Sequence, residues 1–478
     1  VTLRQAAAFE TYAEGNNPIE LDGSEQAPWF RVPYLTDIPG TVEARDGSLS
    51  LIVTRTQGFG QVRFVAADLG KPPLNRWKER RLFIAKILGL KPSPAVGQTE
   101  GQELMHLGYN DLAGQLRSSL DHFESVATTP FMLVMGLIVL YVAIIGPVDY
   151  FVVHRLLKRP QLTWVTFPAA VALFVVLAVI IVQVNGSTTA AVHQATLVDV
   201  DVASGKVRGF SWMNLYSPRV DRYDIGFDDV PGRKRLTSWF GLTGTGLGGM
   251  ASKTIDASAW SVSYEELPDL DGLGGVPMRA RSTRSFVTRW DGSSDLKIES
   301  NLVLKGNSFR GTLMNSTDFD LEDCMLVYQG YAYEFGDLEK GAVVQIDDLT
   351  KYGHLSTLMK TQSRIYEGVG TSKESYRVKT VPYNQASTDP DEVIRMLLFY
   401  QAADAGQYTG LSNANQEIID MSDLQQNDRA VLVGRVPAKQ LEENIGWQIE
   451  TSGDRPIDAA LQSSVIYRFV LPVESQQQ

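Results

Sequence analysis

The chain has 478 residues and a net charge of −11, and this acidic balance argues against nucleic acid as a partner. Hydrophobic residues make up 44% and charged residues 21%, a composition typical of globular proteins rather than of disordered chains. The mean hydropathy of −0.10 indicates that any membrane-embedded part is an anchor and not the bulk of the protein. A single cysteine, Cys324, excludes an intrachain disulfide, and its strand-like surroundings predict a buried apolar role.

Residues 1–92 are predicted to be the end of an α/β domain outside the cytoplasm. Apolar and polar residues alternate at 49–53 and again at 62–66, on either side of a turn at Gly58-Phe59-Gly60, which predicts a strand pair. The run KERRLFIAKILGL then predicts a short helix. Because the chain begins at Val1 without Met and without a signal-like apolar stretch, we expect further residues upstream.

Residues 93–128 are predicted to be a linker followed by an amphipathic juxtamembrane helix. Leu112, Leu116, Leu120 and Phe123 recur at helical spacing. Two placements stay open at this point: the helix lies at the outer membrane surface, or it packs on a neighbouring domain.

Residues 129–184 are predicted to be a transmembrane hairpin, with helices at about 131–153 and 164–184. A bilayer core needs roughly 20 apolar helical residues, and both runs meet that length. The turn between them, 154–163, carries Arg155, Lys158 and Arg159 and no acid. An excess of Lys and Arg in a short loop favours the cytoplasmic side. We therefore expect the inner membrane of a bacterium, with both large flanking parts in the periplasm.

The first apolar run contains three residues that stand out: Gly146, Pro147 and Asp149. Proline removes a backbone hydrogen bond, so Gly146-Pro147 is expected to kink or interrupt the helix. An acid at membrane depth is a functional hypothesis by default. Asp149 lies close to the basic turn, so we expect pairing with His154 or Arg155 or solvation at the helix end. A proton or ion pathway is the alternative.

The remainder of the chain is predicted to be rich in β-strands, in two parts. Residues 185–295 form a first β region, and residues 296–478 form a second β-sandwich, with strand and turn spacing typical of sandwiches. One helix is inserted at about 390–404, because Asp389-Pro390 places a cap and a first-turn proline before it. The fold class is thus a mixed membrane protein: a partial α/β domain, a two-helix hairpin and a large all-β extracytoplasmic region.

Four arginines, Arg279, Arg281, Arg284 and Arg289, recur in the run MRARSTRSFVTRW. Such a pattern is typical of a solvated strand face, and the alternative is contact with a partner or with lipid headgroups. The sequence contains no HExxH, GxSxG or P-loop motif. A GxGxxG match at Gly244 to Gly249 lacks a helix after it and is interpreted as a loop. We predict no catalytic residue, metal ligand or cofactor.

Several segments resemble a family of bacterial inner-membrane proteins, most like those of planctomycetes, whose activity is not established. They are GPVDYFVVHRLLKRPQLTWVTFP in the hairpin, DLAGQLRSSLDHF before it, GFGQVRFVAADLGKPPLNRW in the first part, and GTLMNSTDFDLEDCMLVYQG followed by GDLEKGA in the second β part. The resemblance implies a glutamine-amidotransferase-like α/β domain, mostly upstream of Val1, and a C-terminal β-sandwich module. It also implies a genomic context of AAA+ ATPases and von Willebrand factor A proteins.

The leading hypothesis is a non-enzymatic scaffold or accessory subunit that is held in the membrane lipid and binds other envelope or membrane proteins. Sandwich edges can recruit partners by strand addition. One alternative is an enzyme or ligand-binding protein whose site lies in the upstream amidotransferase-like domain. Another is a channel or transporter component that uses Asp149. The sequence does not indicate an oligomeric state.

Overall fold

A computed structural model gives the fold. The residues that the structure describes are 2–3, 6–19, 30–36, 38, 40–89, 109–126, 131–156, 158–185, 188–227, 232–238, 265–305, 308–348, 352–360, 363–366, 376–379, 382–426, 428–441, 446–451, 455–456 and 459–476.

An N-terminal unit, the described part of residues 2–89, combines two small antiparallel sheets with two helices. Its elements are β1 (Thr2–Leu3), α1 (Ala7–Ala13), β2 (Phe30–Arg31), β3 (Thr41–Asp46), β4 (Leu49–Gln57), β5 (Gly60–Val65), a 3-10 turn (Leu74–Arg76) and α2 (Arg80–Ile87). The predicted strand pair is β4 and β5, with Gly58 at a positive φ of 60° in the turn. Phe9, Leu51 and Phe83 are fully buried in the core of this unit.

Two helices are long and apolar enough to cross a membrane. The first spans Phe131–Leu156 and the second spans Thr163–Ile181, each with a mean hydropathy of 2.6. Most of their described apolar side chains are exposed or half-buried, unlike those of a core helix in a soluble protein, and only a few, such as Val153 and Phe174, are buried. The predicted apolar hairpin is therefore confirmed at this level.

The helical backbone continues slightly past the predicted ends, to Leu156 in the first helix and to Asn185 in the second. The elements are α3 (Leu112–Leu120), α4 (Phe131–Ala143) with π-helical turns at Ile144–Val148 and Tyr150–Leu156, a 3-10 turn (Pro160–Leu162) and α5 (Thr163–Asn185). The sequence favoured a kink or break at Gly146-Pro147. The regular α-helix is interrupted there: it ends at Ala143, and π-helical turns follow, with Pro147 inside the first of them.

Among the described residues after α5, the chain forms strands, three short α-helices and several 3-10 turns. The strands are β6 (Ala190–Asp201), β7 (Lys206–Ser217), β8 (Asp221–Phe227), β9 (Arg233–Ser238), β10 (Glu265–Glu266), β11 (Gly272–Met278), β12 (Ser282–Ser293), β13 (Ile298–Lys305), β14 (Ser308–Asn315), β15 (Leu321–Tyr328), β16 (Tyr331–Leu338), β17 (Val343–Gln345), β18 (Tyr352–His354), β19 (Ser363–Tyr366), β20 (Tyr376–Lys379), β21 (Arg429–Arg435), β22 (Trp447–Thr451), β23 (Arg455–Pro456) and β24 (Ala459–Gln476). The helices are α6 (Leu355–Met359), α7 (Pro390–Leu398) and α8 (Ala405–Thr409).

One 12-stranded sheet joins the two β regions that the sequence separated near residue 295. Its main path runs β18-β16-β15-β21-β24-β6-β7-β12-β9. The last strand, β24, lies parallel to β6 from Ala459 against Ala190 to Val470 against Asp201. The boundary predicted at 295–296 does not separate two sheets, because the chain returns at its end to pair with the strand that follows the hairpin.

Both faces of this sheet are covered. On one face, the five-stranded sheet β10-β11-β8-β22-β23 packs over a cluster that includes Phe286 and Phe469. On the other face, helices α3 and α7 pack over a second cluster that includes Trp212 and Leu397. As a result, every residue of β6 is buried. We call α3 together with β6–β24 and α6–α8 the β body.

Helix α3 belongs to the β body rather than to the membrane surface. Leu112, Leu116 and Leu120 are fully buried in the cluster that α7 also enters. The helix contacts α7, β6 and β7, and Asp111 caps it by accepting a hydrogen bond from the backbone N–H of Ala113 at 2.9 Å. Of the two placements left open by the sequence, the packed one is observed.

The inserted helix begins as predicted and ends earlier. Asp389 caps α7 and Pro390 occupies its first turn. Phe399 has φ −141° and ψ 50°, which stops the helix at Leu398, and a separate short helix then contains Gly406. Phe399 is fully buried, and burying this ring is what overrides the local helical pattern.

Candidate functional site

Both connections to the apolar hairpin leave the same end of the large sheet. Before α4, Phe123 packs against His193 and Tyr216, with ring centroids 6.3 and 6.0 Å apart. Val126 joins the same cluster. After α5, the chain enters β6 at Ala190, whose neighbour Ala191 is also in that cluster. The start of β6, with the ends of β7 and the starts of β12 and β24, is called the hairpin-facing end.

Two loops project from this end. The register pairs Ser282 with Ser217, so the β7–β8 loop and the β11–β12 loop are neighbours. The backbone N–H of Arg281 donates to the carbonyl oxygen of Ser217 at 2.7 Å. The Ser217 hydroxyl donates to the carbonyl oxygen of Arg219 at 2.6 Å. Val220, at the tip of the first loop, is 78% exposed.

The four predicted arginines do not share one face. Arg279 and Arg281 lie in the β11–β12 loop and are exposed. Arg284 and Arg289 are both in β12, but they are five positions apart, and an odd spacing along a strand turns two side chains to opposite sides of the sheet. The Arg284 guanidinium donates to the carbonyl oxygen of Pro277 at 3.2 Å.

Arg289 lies along the strand, away from the hairpin-facing end. Its guanidinium is 5.8 Å from the centre of the Phe210 ring. Partial burial, together with the neighbouring positive charge of Arg235, lowers the pKa of Arg289. The predicted cluster therefore divides into a loop pair at the hairpin-facing end and two separate strand positions.

Within the hairpin, Asp149 connects the two helices. Its carboxylate accepts a hydrogen bond from the Thr166 hydroxyl at 2.6 Å. A small space of about 160 Å³ lies beside this pair. His154 stacks instead on Tyr150, and Arg155 lies 5.7 Å from the Phe151 ring centre. The described partner of Asp149 is thus a side chain of the second helix, a contact of the kind that holds membrane helices together.

The basic residues of the turn lie at the other end of the hairpin. Arg155, Lys158 and Arg159 are all exposed. They follow α4 and precede α5, whereas the connections to the β body leave the opposite helix ends. The hairpin is therefore asymmetric in charge along its length.

A buried charged network, which sequence reasoning missed, ties the β body together. Asp199 on β6 accepts hydrogen bonds from Arg468 Nε at 2.6 Å and Nη2 at 2.9 Å, and from Arg208 Nε at 2.8 Å. Arg468 is fully buried, and this burial lowers the pKa of its guanidinium. Its Nη1 also donates to the carbonyl oxygens of Leu398 at 3.1 Å and Ile419 at 2.7 Å. One side chain thus links two strands to the helical insertion.

The N-terminal unit docks beside this network. The Arg208 guanidinium lies 4.6 Å from the centre of the Phe59 ring, in the β4–β5 turn. Arg429 Nε donates to the Thr56 hydroxyl at 3.3 Å, and its Nη1 lies 3.4 Å from Asp201. Asp201 is the last residue of β6. The N-terminal unit therefore contacts the β body at the end of β6 opposite to the hairpin-facing end.

A cleft of about 580 Å³ lies between α7 and the sheet. Arg435 lines this cleft and forms ion pairs with Glu322 at 3.1 Å, Asp323 at 3.2 Å and Asp391 at 3.3 Å. Cys324 also lines it, and burial raises the pKa of the thiol to about 12. A thiol with this pKa is not a thiolate nucleophile at neutral pH. In the described part of the chain, no group of three or more His, Cys, Asp or Glu residues is placed to hold a metal ion.

Edge strand β18 and its neighbour β16 together carry a partly exposed aromatic patch, which the sequence did not single out. The patch consists of Tyr331, Tyr333, Tyr352 and His354. The rings of Tyr331 and His354 are tilted against each other with centroids 4.6 Å apart, and Tyr333 stacks on Tyr352 with centroids 5.7 Å apart. Tyr352 is 60% exposed.

Strand β9, at the opposite end of the path, begins instead with Arg233, Lys234 and Arg235. The GxGxxG match at 244–249 lies outside the described residues.

Comparison with known proteins gives a partial family match. Residues 297–436, from β13 to β21, match a family described as a domain of unknown function (DUF8725). No curated protein sequence matches the chain. Among solved structures, the chain is similar to the yeast delta-COP-I mu-homology domain complexed with a Dsl1 WxWxV peptide, at 7% identity and a TM-score of 0.24, covering 60% of this chain and 98% of that one. The same yeast domain without the peptide gives 8% identity and a TM-score of 0.23, with the same coverage. Scores this low do not establish a common fold.

Proposed function

We propose that this protein is a membrane-anchored scaffold or accessory subunit, whose β body is held against one side of the inner membrane and binds other envelope proteins there. The observation that supports the anchor best is the shared exit of both hairpin connections at one end of the sheet. Because both connections leave together, two membrane-crossing helices would tether a single body on a single side. The basic turn at the far end of the hairpin favours the periplasm for the β body.

The aromatic patch at β18 is the surface we propose for partner binding. Tyrosine is enriched at protein interfaces because its ring buries a large apolar area and its hydroxyl can form hydrogen bonds with polar groups or water. An edge strand offers unpaired backbone groups to a further strand. We propose an extended segment of another envelope protein as the occupant, with AAA+ and von Willebrand factor A systems as the context that the family resemblance implies.

The topology is tested by cysteine labelling in intact cells. Ser118, in α3, and Gln161, in the basic turn, are both exposed, and the native Cys324 is buried. We expect a membrane-impermeant maleimide to label Ser118→Cys in cells whose outer membrane has been permeabilised, and to label Gln161→Cys only after the inner membrane is broken. Labelling of Gln161→Cys from outside would reverse the proposed orientation.

Partner binding is tested with a photo-crosslinking amino acid at Tyr352, in native membranes. Val343 provides a matched control, since it is also 60% exposed and also lies in a short strand of the same sheet. We expect a discrete crosslinked product with another protein at position 352 and none at position 343. Equal products at both positions, or none at 352 with a monomeric protein after mild solubilisation, would contradict the scaffold function.

A further inference from the structure

We propose that the hairpin-facing end of the β body rests on the phosphate headgroups of the bilayer through Arg219, Arg279 and Arg281. This inference depends on the proposed function only in requiring that the hairpin crosses a membrane. The partner is the lipid surface itself, recognised by its phosphate groups. The aromatic patch at β18 plays no part in it.

The lengths of the elements place this end near the headgroups. The α-helix Thr163–Asn185 has 23 residues, so it is about 35 Å long, compared with about 30 Å for a hydrocarbon core. Its ends therefore reach the headgroup layer. The connections from Val126 to Phe131 and from Asn185 to Ala190 can each span at most about 17 Å. The sheet end from which both connections leave cannot lie far above the bilayer.

The two loops at this end are held as one unit. Ser217 accepts the backbone hydrogen bond from Arg281, and its hydroxyl donates to Arg219. Guanidinium groups bind phosphate through two parallel hydrogen bonds, more specifically than a lysine does. Val220 follows Arg219 in the first of these loops and is exposed, and an exposed apolar side chain of this kind suits the boundary between headgroups and acyl chains.

Arg281 supplies an independent argument from its backbone. It adopts a left-handed conformation with φ 56°, which glycine tolerates and an arginine rarely adopts. A residue with a charged side chain in a strained backbone conformation suggests that the side chain itself has a function at that position. Replacement by glycine should therefore relieve strain and at the same time weaken the lipid contact, and a purely structural arginine would not show these opposite effects.

Carboxylates at the same end shape the expected lipid dependence. Asp221 directly follows the first loop, and the Asp121 carboxylate accepts a hydrogen bond from Asn214 of β7 at 3.5 Å. Glu124 lies in the connection after α3, and Arg222 and Arg284 add positive charge. Because the charges partly balance, we expect contact through individual arginine–phosphate pairs and not through a large net field. Anionic phospholipid should strengthen this contact and high salt should weaken it.

The test uses the full chain in lipid nanodiscs with a fluorophore on Val220→Cys. A second reporter, Ala203→Cys, lies at the opposite end of the β6–β7 hairpin, about 40 Å away along a strand of 12 residues. Phosphatidylcholine with a spin label on its headgroup quenches a fluorophore near the membrane surface. We expect strong quenching at 220 and none at 203. A third reporter, Val139→Cys with an acyl-chain quencher, checks that the hairpin is inserted.

The charge dependence is tested with Arg279→Gln/Arg281→Gln against the control pair Arg233→Gln/Arg235→Gln. The control pair removes two arginines from β9, toward the end of the sheet away from the hairpin, where Arg233 and Arg235 pair with Asp291 and Arg289 of β12. In nanodiscs that contain phosphatidylglycerol, loss of one arginine should lower the equilibrium constant for contact between the loops and the membrane surface about fivefold. Loss of both loop arginines should therefore lower it roughly 25-fold. The control pair should leave quenching at 220 unchanged. Arg281→Gly should weaken the contact and raise the Tm.

Four results would overturn the proposal. Quenching at 220 that survives Arg279→Gln/Arg281→Gln would show that the arginines do not hold the contact. Quenching at 139 without quenching at 220 would leave the anchor intact and refute the lipid contact alone, whereas loss of both would refute the anchor as well. A saturable fluorescence change at 220 on adding inorganic phosphate in detergent would assign the site to free phosphate rather than to lipid.

Discussion

Replacement of Arg468 by Met is expected to lower the free energy of unfolding by about 3–5 kcal/mol. The substitution leaves the fully buried Asp199 with Arg208 as its remaining charged partner, and it removes the donors to the carbonyl oxygens of Leu398 and Ile419. Buried polar groups that lose their partners keep the full desolvation penalty. The measurement is chemical denaturation of the full chain in nanodiscs, followed by tryptophan fluorescence.

Two further variants give the Arg468 prediction its controls. Arg233→Met removes an ion pair to Asp291 in which both side chains are largely exposed, and such pairs contribute little, so stability should change by less than about 1 kcal/mol. Arg468→Met combined with Asp199→Leu removes both members of the main pair and should recover part of the loss. If Arg468→Met unfolds no more readily than Arg233→Met, the network is not what holds the insertion on the sheet.

Replacement of Leu116 by Ala is expected to destabilise the β body by about 2–5 kcal/mol, because the side chain is fully buried between α3 and the sheet. The prediction separates the two placements that the sequence left open for this helix. If α3 lay at the membrane surface, the substitution would weaken lipid binding and leave the unfolding transition in place.

Ser118→Ala is the matched control for Leu116→Ala, since Ser118 is in the same helix but exposed. Its free energy of unfolding should stay within about 0.5 kcal/mol of the unsubstituted protein. Limited proteolysis adds a second readout: cleavage in residues 109–126 should become faster in Leu116→Ala. A Leu116→Ala protein with unchanged stability and unchanged proteolysis would contradict the observed packing.

The arrangement along β6 gives the proposed tether its geometry. Its first residue follows the hairpin, and its last residue, Asp201, lies beside the docked N-terminal unit. Every residue between them is buried, and β24 pairs with β6 along its whole length. A strand that is packed on both faces and paired on both edges is rigid. Such a strand would keep the N-terminal unit at a fixed distance from the hairpin-facing end of the sheet, as the proposed tether requires.

Some features could be predicted because their signals are local. The apolar runs of the hairpin are recognised by length and composition alone, since a bilayer imposes the same requirement on any helix that crosses it. The β4–β5 turn at Gly58 and the cap of α7 at Asp389 depend on a few neighbouring residues, and this is why their positions were correct. The end of α7 was not, because the burial of Phe399 is a tertiary effect.

The contacts that build the β body join residues that are far apart in the sequence, so local patterns do not predict them. Asp199 and Arg468 are 269 residues apart, and neither carries a local sign that the other is its partner. For the same reason, local patterns did not indicate that β24 pairs in parallel with β6 and so joins the two predicted β regions in one sheet. The arginine pattern at 279–289 also could not be interpreted from spacing, because a loop between strands, and not one continuous strand, contains its first half. The sequence by itself determined the apolar hairpin, the strand-rich character and the acidic balance, because each depends on composition or on neighbouring residues. Only the tertiary structure decided which end of the sheet faces the hairpin, since that depends on where distant strands pair.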